Sequence, residues 1–128
     1  MRGDDIAERM VNFSVEILRF VRSIPKTSNG KHMESQLFRA ATSCGANYEE
    51  ARGAESIADF IHKLSVASKE IREAHYWIKV ILRSESGNIE QAKRICAEAD
   101  ELGAILTSSI KTAKKRKSRI GTGEMNRD

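Results

Sequence analysis

The chain has 128 residues, a length that fits one domain with a buried core and leaves no room for a second. One proline and 5% aromatic residues, beside plentiful alanine, glutamate, lysine and arginine, favour helices over a β-sandwich or barrel. The net charge of +4 is unevenly spread: residues 1–110 carry 15 Lys and Arg against 16 Asp and Glu, and residues 111–128 carry seven against two.

The first predicted helix covers about residues 5–24, where Ile6, Met10, Phe13, Ile17, Phe20 and Ile24 recur at steps of four and three. Val11, Leu18 and Val21 are expected to widen that stripe. Asp4 or Asp5 is the expected cap, and Pro25 with the polar run to Gly30 supplies the break.

The second helix is expected over about residues 31–52, with the seam Met33, Leu37, Ala40, Cys44, Asn47 and Ala51. Its small residues, Ala40, Ala41, Cys44, Gly45 and Ala46, invite a close neighbour, although Gly45 costs roughly 1 kcal/mol of helix propensity relative to alanine. A glycine kept there points to tight packing.

The third helix, about residues 56–83, is the longest and carries Ile57, Phe60, Leu64, Ala67, Ile71, Ala74, Ile78 and Ile81 on one seam. Ser56 is its expected cap, and the turn Ser84–Asn88 contains Gly87, where a helix stops. The fourth, about residues 88–113, places Ile89, Ala92, Ile95, Ala99, Leu102, Leu106, Ile110 and Ala113 on one face. Residues 111–128 are expected to fray into a basic tail after a 1–110 bundle. Four amphipathic segments with short polar connections pack as an all-α, antiparallel, up-down-up-down four-helix bundle.

No stretch approaches the roughly 20 apolar residues that cross a bilayer, and the first residues lack the apolar core of a signal peptide, so the expected location is the cytoplasm, away from membrane. Cys44 and Cys96 lie within helical patterns and read as small buried apolar residues.

Polar residues stand out on helices two and three. Asn47 interrupts an apolar seam and Glu50 follows it on the adjoining face; Lys69, Glu70 and Glu73, beside Trp77, are placed to answer them in one polar cluster. Carboxylates inside a bundle raise the question of a di-metal site, but such sites need two Glu-x-x-His motifs, and the chain has only Asp59 and His62 as an Asp-x-x-His. His32 and His75 form no array with a nucleophile and an acid, and phosphate-binding, dinucleotide and Cys-x-x-Cys motifs are missing. No metal, cofactor or catalytic residue is implied, and the expectation is a non-enzyme.

The runs Ala41–Ala51, Ala58–Leu64 and Lys69–Trp77, with Asn-x-x-Glu-Ala on helix two and Lys-Glu-x-x-Glu-x-x-Tyr-Trp on helix three, resemble the four-helix-bundle proteins encoded in intervening sequences of bacterial 23S ribosomal RNA genes. The likeness spans nearly the whole chain, Glu101-Leu102 and the segment from Ile110 to Lys114 included. The resemblance implies a homo-oligomer, a ring or barrel-shaped pentamer, and kinship with the basic accessory protein of diversity-generating retroelements, which binds nucleic acid and a reverse transcriptase. It gives Asn47, Glu50, Lys69, Glu70, Glu73, Tyr76 and Trp77 as signature positions and no catalytic role.

Lys111, Lys114, Lys115, Arg116, Lys117 and Arg119 put six positive charges into nine residues without an acid, the pattern of a phosphate-driven, salt-sensitive surface for RNA or DNA. Repetition around an oligomer raises its affinity through effective concentration. The same residues also suit a helix end complementing its own macrodipole. A second function class is a structural adaptor that docks a protein partner such as a reverse transcriptase. Val66, Tyr76, Trp77 and Val80 lie off the main seam of helix three and read as core or subunit interface.

Overall fold

The computed structural model describes residues 2–121. They form four helices, α1 (Gly3–Phe20), α2 (Ser28–Arg52), α3 (Ile57–Arg83) and α4 (Ile89–Gly121), with a turn of 3₁₀ helix at Val21–Ser23. The expected all-α four-helix bundle is the observed architecture. α3 is the central element, packed against α2 on one side and α4 on the other, while α1 covers α2 and, more lightly, α4. Contacts descend along one helix as they climb its neighbour: Gly3 meets Tyr48 and Met10 meets Cys44, Arg39 meets Glu70 and Lys63 meets Glu50, Arg9 meets Glu98 and Arg94 meets Glu16.

The core is the union of the seams. Phe13, Ile17 and Phe20 of α1, Leu37 and Cys44 of α2, Leu64, Ile71 and Ile78 of α3, and Ile95, Leu102 and Leu106 of α4 are all buried. Each large aliphatic or aromatic side chain removed from water contributes about 1.5–3 kcal/mol, which is what holds four amphipathic stripes together. Among the described residues no helix is long and apolar enough to cross a membrane.

Several local expectations are corrected. α2 starts at Ser28, ahead of residue 31, because the Thr27 hydroxyl accepts from the Gly30 N–H at 3.1 Å and caps it. Arg2, without a side-chain cap bond, holds the cap position of α1; Asp4 and Asp5 lie inside its first turn, where they complement the dipole. Ser56 does cap α3, accepting from the Asp59 N–H at 3.0 Å, and Asn88 accepts from the Gln91 N–H at 2.9 Å at the start of α4. α3 is stopped by Glu85 in the left-handed region (φ 54°), not by Gly87. The Glu85 N–H donates to Leu82 O and the Ser86 N–H to Ile81 O, closing a Schellman turn.

The seam of α2 passes through Tyr48, which is buried, and not through Asn47. Val11 and Leu18 of α1 are exposed and do not widen the core stripe, and Cys96 is half-buried. α4 continues unbroken to Gly121, past both the expected helix end at 113 and the expected boundary at 110. Alanine, lysine and arginine propagate a helix well, and cations near its C-terminus oppose fraying. Of the expected basic tail, 122–128 lie outside the described residues.

Candidate functional site

The basic residues lie on the last turns of α4, all of them exposed: Lys111, Lys114, Lys115, Arg116, Lys117 and Arg119. At about 100° per residue, Lys111 and Lys115 fall roughly opposite the buried Ala113, with Lys114 and Arg119 flanking them. Arg116 and Lys117 continue the core-facing side, but every residue from Lys114 to Gly121 is exposed, so they too meet solvent. No acid occurs between residues 111 and 121, and the segment is one stiff cationic rod.

Helix length separates two physical readings of those charges. The macrodipole acts within the final turn of a helix, where it favours each cation by about 0.3–1 kcal/mol. α4 is helical through Gly121, so Lys111, Lys114 and Lys115 stand more than a turn before its end and are without that effect. Beside the rod, where α4 passes the connection between α2 and α3, an open cleft of about 600 Å³ is lined by Arg52, Ser56, Phe60, Ser108, Thr112 and Arg116, among others.

Of the expected polar cluster the structure brings together Glu70 and Glu73, without Asn47, Glu50 or Lys69. The two meet at Arg39 of α2, a cation that no single-helix pattern singles out. Arg39 Nη1 donates to Glu70 Oε2 at 3.0 Å and Arg39 Nη2 to Glu73 Oε2. Glu70 is 7% exposed, so its carboxylate is a buried charge held by a guanidinium. The Glu73 carboxylate also accepts from Trp77 Nε1 at 3.3 Å. The Arg39 hydrogen bond holds Glu73 below the usual carboxylate range, with the Trp77 bond helping and burial opposing. The Trp77 ring meets His32 of α2 edge-on at 5.6 Å and Tyr76 at 5.2 Å.

Asn47 and Glu50 are outside this cluster. Asn47 Nδ2 donates to Ser43 O at 2.9 Å within its own helix, and Glu50 pairs with Lys63 Nζ at 2.9 Å near the α2–α3 connection. Lys69 is exposed and makes no hydrogen bond or ion pair among the described residues. Of the four residues read as core or interface, Val66, Trp77 and Val80 are half-buried, with Trp77 packed on the core; Tyr76 is 56% exposed. The larger exposed apolar face lies elsewhere, on Val11, Val15 and Leu18 of α1 with Phe38 of α2. The signal for Arg39 was present: a cation beside the α2 seam, with two carboxylates at i, i+3 on the next helix.

A model of the 23S rRNA-intervening sequence protein family matches residues 4–108. Among solved structures, the chain is similar to a crystal structure of a protein with unknown function from the S23 ribosomal protein family of Bacteroides thetaiotaomicron. The two share 34% sequence identity and a TM-score of 0.76, over 87% of this chain and 99% of that one. No curated protein matches the chain. The family match stops before Lys111, so the cationic rod lies beyond the span that the family model describes.

Proposed function

The chain belongs to the family of 23S rRNA-intervening sequence proteins, and from that premise we propose that it is a non-enzymatic, self-associating helical bundle that binds nucleic acid through the basic end of α4. The observation that carries the reading is the unbroken run of α4 to Gly121, which holds Lys111, Lys114 and Lys115 too far from the helix end to serve its dipole. A rigid row of cations without an acid recognises regularly spaced phosphates, and it reads backbone rather than base sequence. Self-association through exposed apolar residues multiplies the rows, and the second contact of one strand then forms at a high effective concentration.

Anisotropy of labelled duplex DNA and RNA across a salt series tests the reading. The full chain is compared with the variant Lys111→Gln/Lys114→Gln/Lys115→Gln/Lys117→Gln, which leaves Ala113 and the core untouched. Each phosphate contact contributes about 0.9 to the slope of log affinity against log salt, so loss of four contacts flattens it by about 3 to 4. Equal affinity and slope for both proteins would overturn the proposal and favour a protein-docking adaptor.

A further inference from the structure

The outer face of α3 carries a second line of positive charge, on different residues from the rod of α4. Lys69, Arg72, Tyr76, Lys79 and Arg83 follow one another at steps of three and four, so they share one face of the helix. Lys69, Arg72 and Arg83 are exposed and Lys79 half-exposed, and none of the four makes a hydrogen bond or ion pair among the described residues. The line runs about 21 Å at 1.5 Å per residue.

The carboxylates of α3 offset this charge only in part: Glu73 borders the line and feels Lys69, but its hydrogen bonds go to Arg39 and Trp77. Glu70 and Glu73 point to the α2 flank, where Arg39 occupies both, and Asp59 stands in the first turn, far from the line. Asp100 of α4 shares a neighbouring hollow with Arg72 and His75 and makes no ion pair among the described residues. In the middle of the line Tyr76, 56% exposed, borders a shallow hollow of about 420 Å³ lined also by Lys69, Arg72, Glu73, His75 and Lys79. Its ring is braced at 75° to Trp77, which Glu73 and His32 hold in turn. An aromatic ring already fixed in place loses little freedom when a second ring stacks on it.

We propose that this face binds single-stranded nucleic acid, with a base stacked on Tyr76 in the hollow and the flanking phosphates on Lys69, Arg72, Lys79 and Arg83. The tyrosine selects the class of ligand. A row of cations alone takes any polyanion, whereas an exposed aromatic between cations suits a strand whose bases are free to turn outward. The face packs beside the first half of α4, whereas the rod of α4 lies at the opposite end of the bundle, by the start of α3. The two surfaces are therefore separable by mutation.

The test is anisotropy with a fluorescein-labelled 20-nucleotide oligouridylate and a duplex of matched length. The proteins are the native chain, Tyr76→Ala, Tyr76→Phe, Arg72→Gln/Lys79→Gln and the quadruple α4 variant, each first checked for native helicity and sedimentation. Tyr76→Ala is expected to weaken single-strand binding about ten-fold with an unchanged salt slope, to leave duplex binding as it was, and to be rescued in Tyr76→Phe. Arg72→Gln/Lys79→Gln is expected to flatten the single-strand slope by about 1.4. Native-like single-strand binding by Tyr76→Ala, or an equal loss on both probes, overturns the proposal. If the α3 variants bind as the native chain does while the α4 variant fails, this inference falls and the α4 reading stands; the reverse result separates them the other way.

Discussion

Arg39 and Glu73, 34 positions apart in the chain, join α2 to α3 through a guanidinium–carboxylate hydrogen bond, and the same guanidinium reaches the buried Glu70. The bond holds Glu73 below its ordinary value of 4.5. A carboxylate lowered on folding contributes stability that is complete above its unfolded value and lost as pH falls through its folded one. Urea midpoints are therefore expected to be flat from pH 7 to about 5 as far as this group is concerned, and to drop below about 4.5. Arg39→Leu removes the partner of a 7%-exposed carboxylate and is expected to cost about 1–3 kcal/mol at pH 7, with part of that loss recovered in the double variant Arg39→Leu/Glu70→Gln. Equal stability of native and Arg39→Leu proteins at pH 7 would remove the cluster from the forces holding α2 to α3.

Glu85 stops α3 in a left-handed conformation, φ 54°, that glycine adopts without penalty. Glu85→Gly is expected to raise stability by about 0.5–1 kcal/mol, read as an increase in melting temperature. The neighbouring glycine behaves oppositely. A Cβ on Gly87 would sit 3.1 Å from Phe20 Cζ and 3.2 Å from Ser23 Oγ, so Gly87→Ala is expected to destabilise. A melting temperature that falls for Glu85→Gly would show that the side chain makes a contact outweighing its backbone conformation.

These two sites also mark the limits of reading the chain alone. The seams of α1, α3 and α4 were legible because large aliphatic residues recur at helical spacing and each must be buried. Where α2 uses small residues the pattern gives no preference between a step of three from Cys44 to Asn47 and a step of four to Tyr48. The choice is made by a distant contact, Tyr48 Oη donating to Gly3 O at 3.3 Å. Arg39 is singled out by no single-helix pattern because its partners lie on another helix, and only the packing of α2 on α3 brings them together. The run of charge from Lys111 read as a tail, although helix propensity carries α4 through it.

Two helical glycines separate close approach from chance. A Cβ on Gly30 would run into Pro25 O, in the turn that Thr27 caps, so Gly30→Ala is expected to destabilise by at least 1–3 kcal/mol, roughly the cost of overpacking. At Gly45 the nearest atom would be Met10 Cβ at 3.5 Å, an ordinary contact, so the tight packing expected there is absent. Gly45→Ala is expected to stabilise by about 0.5–1 kcal/mol through helix propensity. Chemical denaturation of both variants checks the pair, and a destabilised Gly45→Ala would mean that α1 and α2 approach more closely than 3.5 Å suggests.

The two cysteines differ in a way that thiol chemistry reads directly. Cys44 is fully buried against Met10, and burial pushes its thiol up to about 12; Cys96 is half-buried and only raised. Reaction requires an accessible thiolate. With iodoacetamide at pH 8, Cys96 is expected to label slowly in the native protein and Cys44 only on unfolding, at a rate that follows urea concentration. Mass spectrometry of the labelled peptides distinguishes them, and native-state labelling of Cys44 ahead of Cys96 would contradict the packing of α1 on α2.

The apolar face of α1 bears on self-association. Val11 at 52% and Leu18 at 44% exposure, with Val15 between them and Phe38 of α2 nearby, face solvent beside a shallow hollow lined by Val11, Val15, Thr42 and Ala46. Contiguous exposed apolar surface on a small bundle marks a contact, and burial against a second copy of the same chain needs no other partner. Val11→Glu/Leu18→Glu leaves the buried stripe of Met10, Phe13 and Ile17 intact, so helicity is expected to persist while sedimentation falls to the value of a single bundle. Val66→Glu serves as the counterpart on α3. If Val66→Glu breaks the assembly and the α1 variant does not, the subunits meet through α3, and the Tyr76 face is then occupied by protein.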